Sequence, residues 1–400
     1  MKCFLCNLLS RSYSKTTHEV ESSAGLRIGV VSSFMPPHLG GLEVAAETIF
    51  NAYVAAGHEV SWIASRVPKS IAARDGQRVR VGCWNGLEEW FGIPWPIWGL
   101  KGIREITQLV QWADVLHIHD CLYFSSAMTV LFARRLGKPV LLSQHIGFVS
   151  YRSILLKGLE YFAYHTLGQA VLRGCSHIVF CTPAAERFLM GWLGKRLPRV
   201  STVPYGIDTV RFRPPRSDER VRAREALGVS ESGSVILFTG RLVEKKGVDL
   251  FLEVARRTPK FQFLMVGDGP LRPRVIENLI WIPFVSPDRM ETVYQAADIF
   301  LLPSHGEGFP LSILEALATG LPVIASKGEP FTEELERESA CLSSERTADA
   351  LCNSLDRLVA EPQLTHALAT RSRELAVRKW GLDLMGARYL ALLRDVAGQN

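Results

Sequence analysis

Ser304-His-Gly-Glu-Gly-Phe-Pro-Leu-Ser-Ile-Leu-Glu315, continued by Ala-Leu-Ala-Thr-Gly-Leu-Pro-Val-Ile-Ala, is the stretch from which the fold can be read. An apolar β-branched run ends near Leu302, a glycine-containing loop follows, and a helix is expected over Pro310–Thr319. Pro at the first helical position and Gly320 just past the last one are the usual start and stop signals. At such a start the N–H groups of Leu311 and Ser312 have no intrahelical acceptor, and the helix dipole adds positive potential, so an anion is favoured there. Gly308 and Phe309 lie in the same loop. Two carboxylates, Glu307 and Glu315, stand beside this anion site. They would be repelled by a phosphate unless they turn to hydroxyl groups, which a sugar and a ribose supply. Each acid alone also fits an ordinary solvated residue on a capped helix.

Working outward, the same strand–loop–helix alternation runs through most of the chain. Strands are expected at Arg27–Ser33, Glu59–Ser65, Asp114–His119, Pro139–Ser143 and His177–Cys181, with a helix over Leu42–Ala56. A second set follows at Ser234–Gly240, Lys260–Val266, Leu279–Ile282, Asp298–Leu302 and Pro322–Ala325. Apolar strands alternating with helices imply parallel sheets covered on both faces. Four hundred residues exceed what one core holds. The expected architecture is therefore α/β with two Rossmann-like parallel-sheet domains facing across a cleft. Residues 1–24 read as a disordered leader, 25–203 as the first domain and 204–232 as a linker, because Pro204, Pro214, Pro215 and many Arg residues interrupt the pattern there. Residues 233–379 read as the second domain, and 380–400 as a helix returning to the first.

Ligands of such sheets bind beyond the carboxyl ends of the strands, and several loops there carry suitable chemistry. Gly240-Arg-Leu-Val-Glu-Lys-Lys-Gly247 places Arg241 and Lys246 where two cations can neutralise a diphosphate. Pro36-Pro-His-Leu-Gly-Gly-Leu-Glu43 offers Gly40 and Gly41 for close backbone approach to a ligand. Ser143-Gln-His-Ile-Gly-Phe148 ends a strand with His145. His117 and His119 alternate on another strand and are read as lining the other substrate's side. Gly267-Asp-Gly269-Pro lacks the third glycine of a dinucleotide fingerprint, so a nicotinamide cofactor is not expected.

These elements resemble family 4 of the glycosyltransferases, which has the GT-B fold. The resemblance rests on Glu307 and Glu315 in E-x7-E, the following G-x-P-V-I-A, and the G-R-…-K-G element at 240–247. It extends from about Leu26 to Trp380. It implies a retaining hexosyl transfer from a nucleotide-diphosphate sugar, UDP or GDP, to a glycan, lipid-linked or small-molecule acceptor. It implies that Glu307 contacts the donor sugar, Glu315 the ribose, Arg241 and Lys246 the diphosphate, and His145 the transferred sugar. Gly40 and Gly41 would face the donor phosphates. Phe284 and Val285, at the end of the strand over Trp281–Val285, would meet the base. Tyr205 stands where the family's turn commonly has Asn. No Asp-x-Asp occupies the expected loop, so metal is expected to be absent, protein cations taking its role, and no cofactor is expected. Another GT-B enzyme, such as a sugar-nucleotide epimerase, and a catalytically silent binding protein of the same fold are the two other readings.

The net charge of +6 is concentrated in residues 1–200, which hold 21 Lys+Arg against 13 Asp+Glu. Nothing resembling a nucleic-acid-reading helix or zinc module accompanies it, so a nucleic-acid partner is not expected. Residues 151–173 combine Tyr151, Arg152, Lys157, Tyr161, Phe162, Tyr164 and Arg173, and residues 84–112 hold five of the nine tryptophans. Both segments fit either core packing or peripheral contact with an anionic membrane. Eight scattered cysteines fit a reduced, cytoplasmic chain, at the inner face of the membrane if that contact is made. No apolar run is long enough to span a bilayer.

Overall fold

The computed structural model describes residues 25–38, 41–68, 70–91, 95–145, 147, 154–193, 198–307 and 309–398. The leader at 1–24, Gly40, Gly308, residues 148–153 and the Trp90 side chain lie outside the described residues. The chain divides into two compact units, one of residues 1–204 with 385–400, the other of residues 205–384.

The first unit is built on β1 (Arg27–Val31), β2 (Glu59–Ser65), β3 (Arg74–Asp75) and β4 (Arg78–Val81), a two-residue pair β5 (Cys83–Trp84) and β6 (Ile97–Trp98), then β7 (Val115–His119), β8 (Val140–Gln144), β9 (His177–Phe180) and β10 (Arg199–Thr202). The sheet order is β10-β9-β8-β7-β1-β2-β4-β3, parallel except where β3 meets β4. β1, β7 and β8 have almost no exposed side chain, as expected for central strands covered on both faces. The order reverses between β1 and β7. The loops that leave these two strands therefore diverge and open a crevice at the carboxyl edge. The Gly41–Ala55 helix leaves one of them. Trp98 is buried and donates its indole N–H to Ser65 Oγ, whereas Trp84 is half exposed beside exposed Ile97. The tryptophan-rich segment thus divides between packing and surface.

The second unit contains β11 (Val235–Thr239), β12 (Gln262–Val266), β13 (Leu279–Ile282), β14 (Ile299–Leu302), β15 (Val323–Ser326) and β16 (Leu342–Ser344). The order β13-β12-β11-β14-β15-β16 is parallel throughout, with the reversal between β11 and β14.

Of residues 204–232, read from the sequence as a linker, all but Pro204 belong to this second unit. Ile207 and Phe212 are buried in its core, and Ser217–Leu227 is a helix. Ile207 also forms a bridge with Gly381, its N–H donating to Trp380 O at 2.7 Å. Proline and arginine mask these anchors in the composition, but two large apolar side chains suffice to fix a short segment to a core. The last helix runs from Leu382 to Ala397, and its residues from Met385 onward belong to the first unit.

Candidate active site

In the second unit the reversal between β11 and β14 places two loops side by side, 240–247 and 303–310. Glycines let them touch. Gly247 has φ +72°, and a Cβ there would lie 2.1 Å from Pro303 O. Gly267 has φ +136°, and its Cβ would lie 2.0 Å from Gly240 O. His305 N–H donates to Lys245 O at 2.8 Å, tying the loops together. The sequence-derived residues Lys246 and Glu307 meet as a result: Lys246 Nζ is 3.0 Å from Glu307 Oε2, and Lys245 Nζ is 3.2 Å from Oε1. Lys246 is largely covered, whereas Arg241 is exposed. The helix that follows spans Leu311–Ala318, with Pro310 as its N-cap. Its first backbone bond runs from Ile313 N to Pro310 O, so the N–H groups of Leu311 and Ser312 lie ahead of the ladder. Phe309 is buried in the core. Among the described residues, Ser304 Oγ, His305 Nδ1 and Ser312 Oγ are buried without a hydrogen-bond partner, which marks polar ground suited to a hydroxyl-bearing ligand.

Glu315 is held by a relay that the sequence did not disclose. Thr239 Oγ1 lies 2.6 Å from the Tyr294 hydroxyl, which in turn donates to Glu315 Oε2. Burial pushes the Glu315 carboxyl up to about 7, against the opposing effects of the Tyr294 hydrogen bond and the positive Arg211. If Glu315 holds a ribose diol, as the resemblance implies, the ionised carboxylate, an acceptor only, binds it better than the acid. Donor affinity should therefore fall as pH drops below about 7, by roughly tenfold per pH unit at the limit. Calorimetric titration with nucleoside diphosphate at pH 6 and pH 8 checks this, and Glu315→Gln should shrink the difference to what ionisation of the nucleotide's own terminal phosphate contributes.

Glu329 is a second residue that motif reading missed. Its carboxylate accepts from Gly306 N at 3.0 Å and Glu307 N at 3.3 Å, so it fixes the backbone that carries Glu307. Phe284 is exposed and Val285 packs against the core beyond β13.

In the first unit, Gly41 opens its helix and is exposed. His38, just before, bridges two carboxylates, Glu43 Oε1 at 2.9 Å and Glu88 Oε1 at 3.1 Å. Burial alone would lower its pKa, but the two carboxylates outweigh this and raise it. His145 follows β8 directly and is buried, with its Nε2 2.9 Å from His119 Nδ1. His117 and His119, read from the sequence as lining the other substrate's side, are fully buried. They belong to the interior because each occupies a central parallel strand. Burial lowers the pKa of His117 and of His145 to about 3.

Two parallel α/β units, each with its loops at a strand-order reversal, are the architecture of the GT-B fold. Anabaena Alr3699/HepE in complex with UDP-glucose has the same fold, with a TM-score of 0.72 and 14% identity over 92% of this chain and 100% of that one. The Glycosyltransferase Family 4 model matches residues 39–211, and the Glycosyl transferases group 1 model matches residues 219–375. The D-inositol 3-phosphate glycosyltransferase of Acidothermus cellulolyticus is 29% identical over 72% of this chain and 68% of its own length. The alpha-galactosylglucosyldiacylglycerol synthase of Streptococcus pneumoniae is 29% identical over 53% of this chain and 60% of its own length. The chain belongs to the family 4 glycosyltransferases, and it is a glycosyltransferase.

Proposed function

We propose that this glycosyltransferase moves a hexose from a nucleotide-diphosphate sugar with retention and without a metal ion. The observation that carries the reading is the meeting of Lys246 and Glu307 beside the helix start at Leu311 and Ser312. A diphosphate arriving there exchanges the Glu307 carboxylate for its own charge on Lys246, and Glu307 turns to the sugar hydroxyls. Arg241, Lys246 and the two helix-start amides stabilise the charge that grows on the leaving diphosphate. The bond between the anomeric carbon and the phosphate oxygen breaks as the acceptor oxygen bonds the same face. The acceptor proton passes to the departing phosphate oxygen, leaving nucleoside diphosphate and glycoside. Glu315 holds the ribose, Phe284 and Val285 meet the base, and Gly308 belongs to the donor loop. In the first unit His145 binds a sugar hydroxyl, and Gly40 and Gly41 let backbone approach the phosphates.

The test is turnover of UDP- and GDP-hexoses in excess chelator, with glycan, lipid-linked and small-molecule acceptors, and the product anomer assigned by NMR. Conversion of the donor without acceptor would favour an epimerase. Absence of turnover despite donor binding would favour a silent binding protein. An inverted product would overturn retention, and restoration of activity only by a divalent ion would overturn metal independence.

We further propose a cytoplasmic protein with peripheral contact to an anionic membrane through the Ile154–Ala163 helix. On it Ile154, Leu155, Leu159, Tyr161 and Phe162 are all exposed, with Lys157 among them. Five large apolar side chains on one short helix exceed what a solvated surface usually shows. Among the described residues no helix is long and apolar enough to cross a membrane. The protein should co-sediment with vesicles containing phosphatidylglycerol, and Leu155→Glu with Phe162→Glu should abolish this; unchanged binding by the double variant would remove the helix from the account.

A further inference from the structure

We propose that His119 is a positioning residue that fixes the tautomer of His145, placing the single ring proton of His145 on Nδ1. Its catalytic consequence rests on the reading of His145 as a sugar ligand; the tautomer assignment does not.

β7 and β8 are adjacent and parallel, with His119 opposite Ser143. The two imidazoles leave the ends of these strands stacked, ring centroids 5.2 Å apart and 22° from coplanar. The backbone of His145 is fixed separately. Asp120 Oδ1 accepts from His145 N at 2.8 Å and from Gln144 Nε2 at 2.9 Å. Gln144 Oε1 returns the contact by accepting from Cys121 N at 3.0 Å. Asp120 makes these bonds from a left-handed backbone, φ +58°. Aspartate is among the few non-glycine residues that enter this region, where its short side chain can turn back to bond nearby backbone. The two loops are thus latched at the backbone, and the ring contact joins the two side chains.

The proton count follows from the neighbours. Ser143 donates its hydroxyl to Tyr389, so it accepts from His117 Nε2 at 2.7 Å. Tyr53 then donates to His117 Nδ1. This makes His117 a neutral Nε2–H tautomer engaged at both nitrogens and with nothing to offer His119. The contact between His119 Nδ1 and His145 Nε2 needs one proton. If His145 supplied it, the proton of neutral His119 would sit on Nε2, a buried atom without a partner among the described residues. A stranded buried N–H is rarer than a bare lone pair. His119 therefore donates from Nδ1, His145 accepts on Nε2, and the proton of His145 lies on Nδ1. Burial keeps both rings neutral, since it lowers the pKa of each. Free imidazole side chains in water prefer the opposite tautomer, so His119 imposes a form that His145 would not adopt alone.

The experiment is long-range proton–nitrogen NMR on the nitrogen-15-labelled full chain, together with steady-state kinetics. His145 should be Nδ1–H in the wild type and in His119→Asn, whose side-chain amide can donate from near the Nδ1 position. It should revert to Nε2–H in His119→Phe. For transfer, kcat should fall about 10²-fold in the Phe variant through loss of donor orientation. The donor KM should move less, and the Asn variant should recover most of the loss. Nε2–H on wild-type His145, which needs no variant to fold, overturns the proposal, as does an unchanged tautomer in His119→Phe. The expected tautomers with an unimpaired His145→Ala overturn the sugar-ligand reading instead and leave the tautomer assignment standing.

Discussion

Arg241→Ala should lower kcat by about 10²–10³-fold, equivalent to roughly 2.7–4 kcal/mol of barrier, while leaving the fold intact. The side chain is exposed near the start of the loop after β11 and packs in no core, so its removal should not cost much stability. What it loses is a bidentate donor to charge that appears only as the diphosphate departs. The effect should therefore fall on kcat more than on the donor KM. Arg241→Lys should recover part of it, because a point charge replaces the fork. Single-turnover release of nucleoside diphosphate separates this step from product release. A variant with the wild-type rate would remove Arg241 from the mechanism.

Gly247→Ala should act through the fold. Its Cβ would sit 2.1 Å from Pro303 O in a backbone conformation at φ +72° that alanine disfavours. The atom met is backbone, so a side-chain rotation cannot relieve the clash and the loops after β11 and β14 must part. The expected cost is about 3–5 kcal/mol in denaturant unfolding. Parting these loops also separates Lys246 from Glu307, so donor affinity should fall with stability. An Ala variant of unchanged midpoint and slope would show that the loops are not held as described.

The alternation of strands and helices could be read along the chain because buried parallel strands are continuous apolar runs and their loops carry glycine and proline. Central strands such as β7 and β11 lie within a residue or two of the expected spans. The two-residue strands β3, β5 and β6 had no such signal, since so short a strand is defined by its partner's hydrogen bonds rather than by periodicity. The same limit explains the site. Arg241, Lys246, Glu307 and Glu315 each stand in a motif, and motifs are local. The contact of Lys246 with Glu307 joins residues 61 apart, and that of His119 with His145 joins residues 26 apart. Glu329 and Tyr294 carry no motif at all; they matter because the sheet order brings them beside loops that do. Residues 205–232 follow the same logic: buried Ile207 and Phe212 are invisible in composition but decisive in packing.

Protein cations in the 240–247 loop, rather than a metal ion, are proposed to hold the donor's diphosphate. The direct measurement is calorimetric titration of UDP and GDP into the full chain in excess chelator, for the wild type and Lys246→Ala. One of them should bind the wild type without divalent ion, and binding should weaken at least about tenfold in the variant, the loss expected for one charge-assisted contact. Binding that appears only with magnesium or manganese, or that Lys246→Ala leaves unchanged, would contradict that proposal.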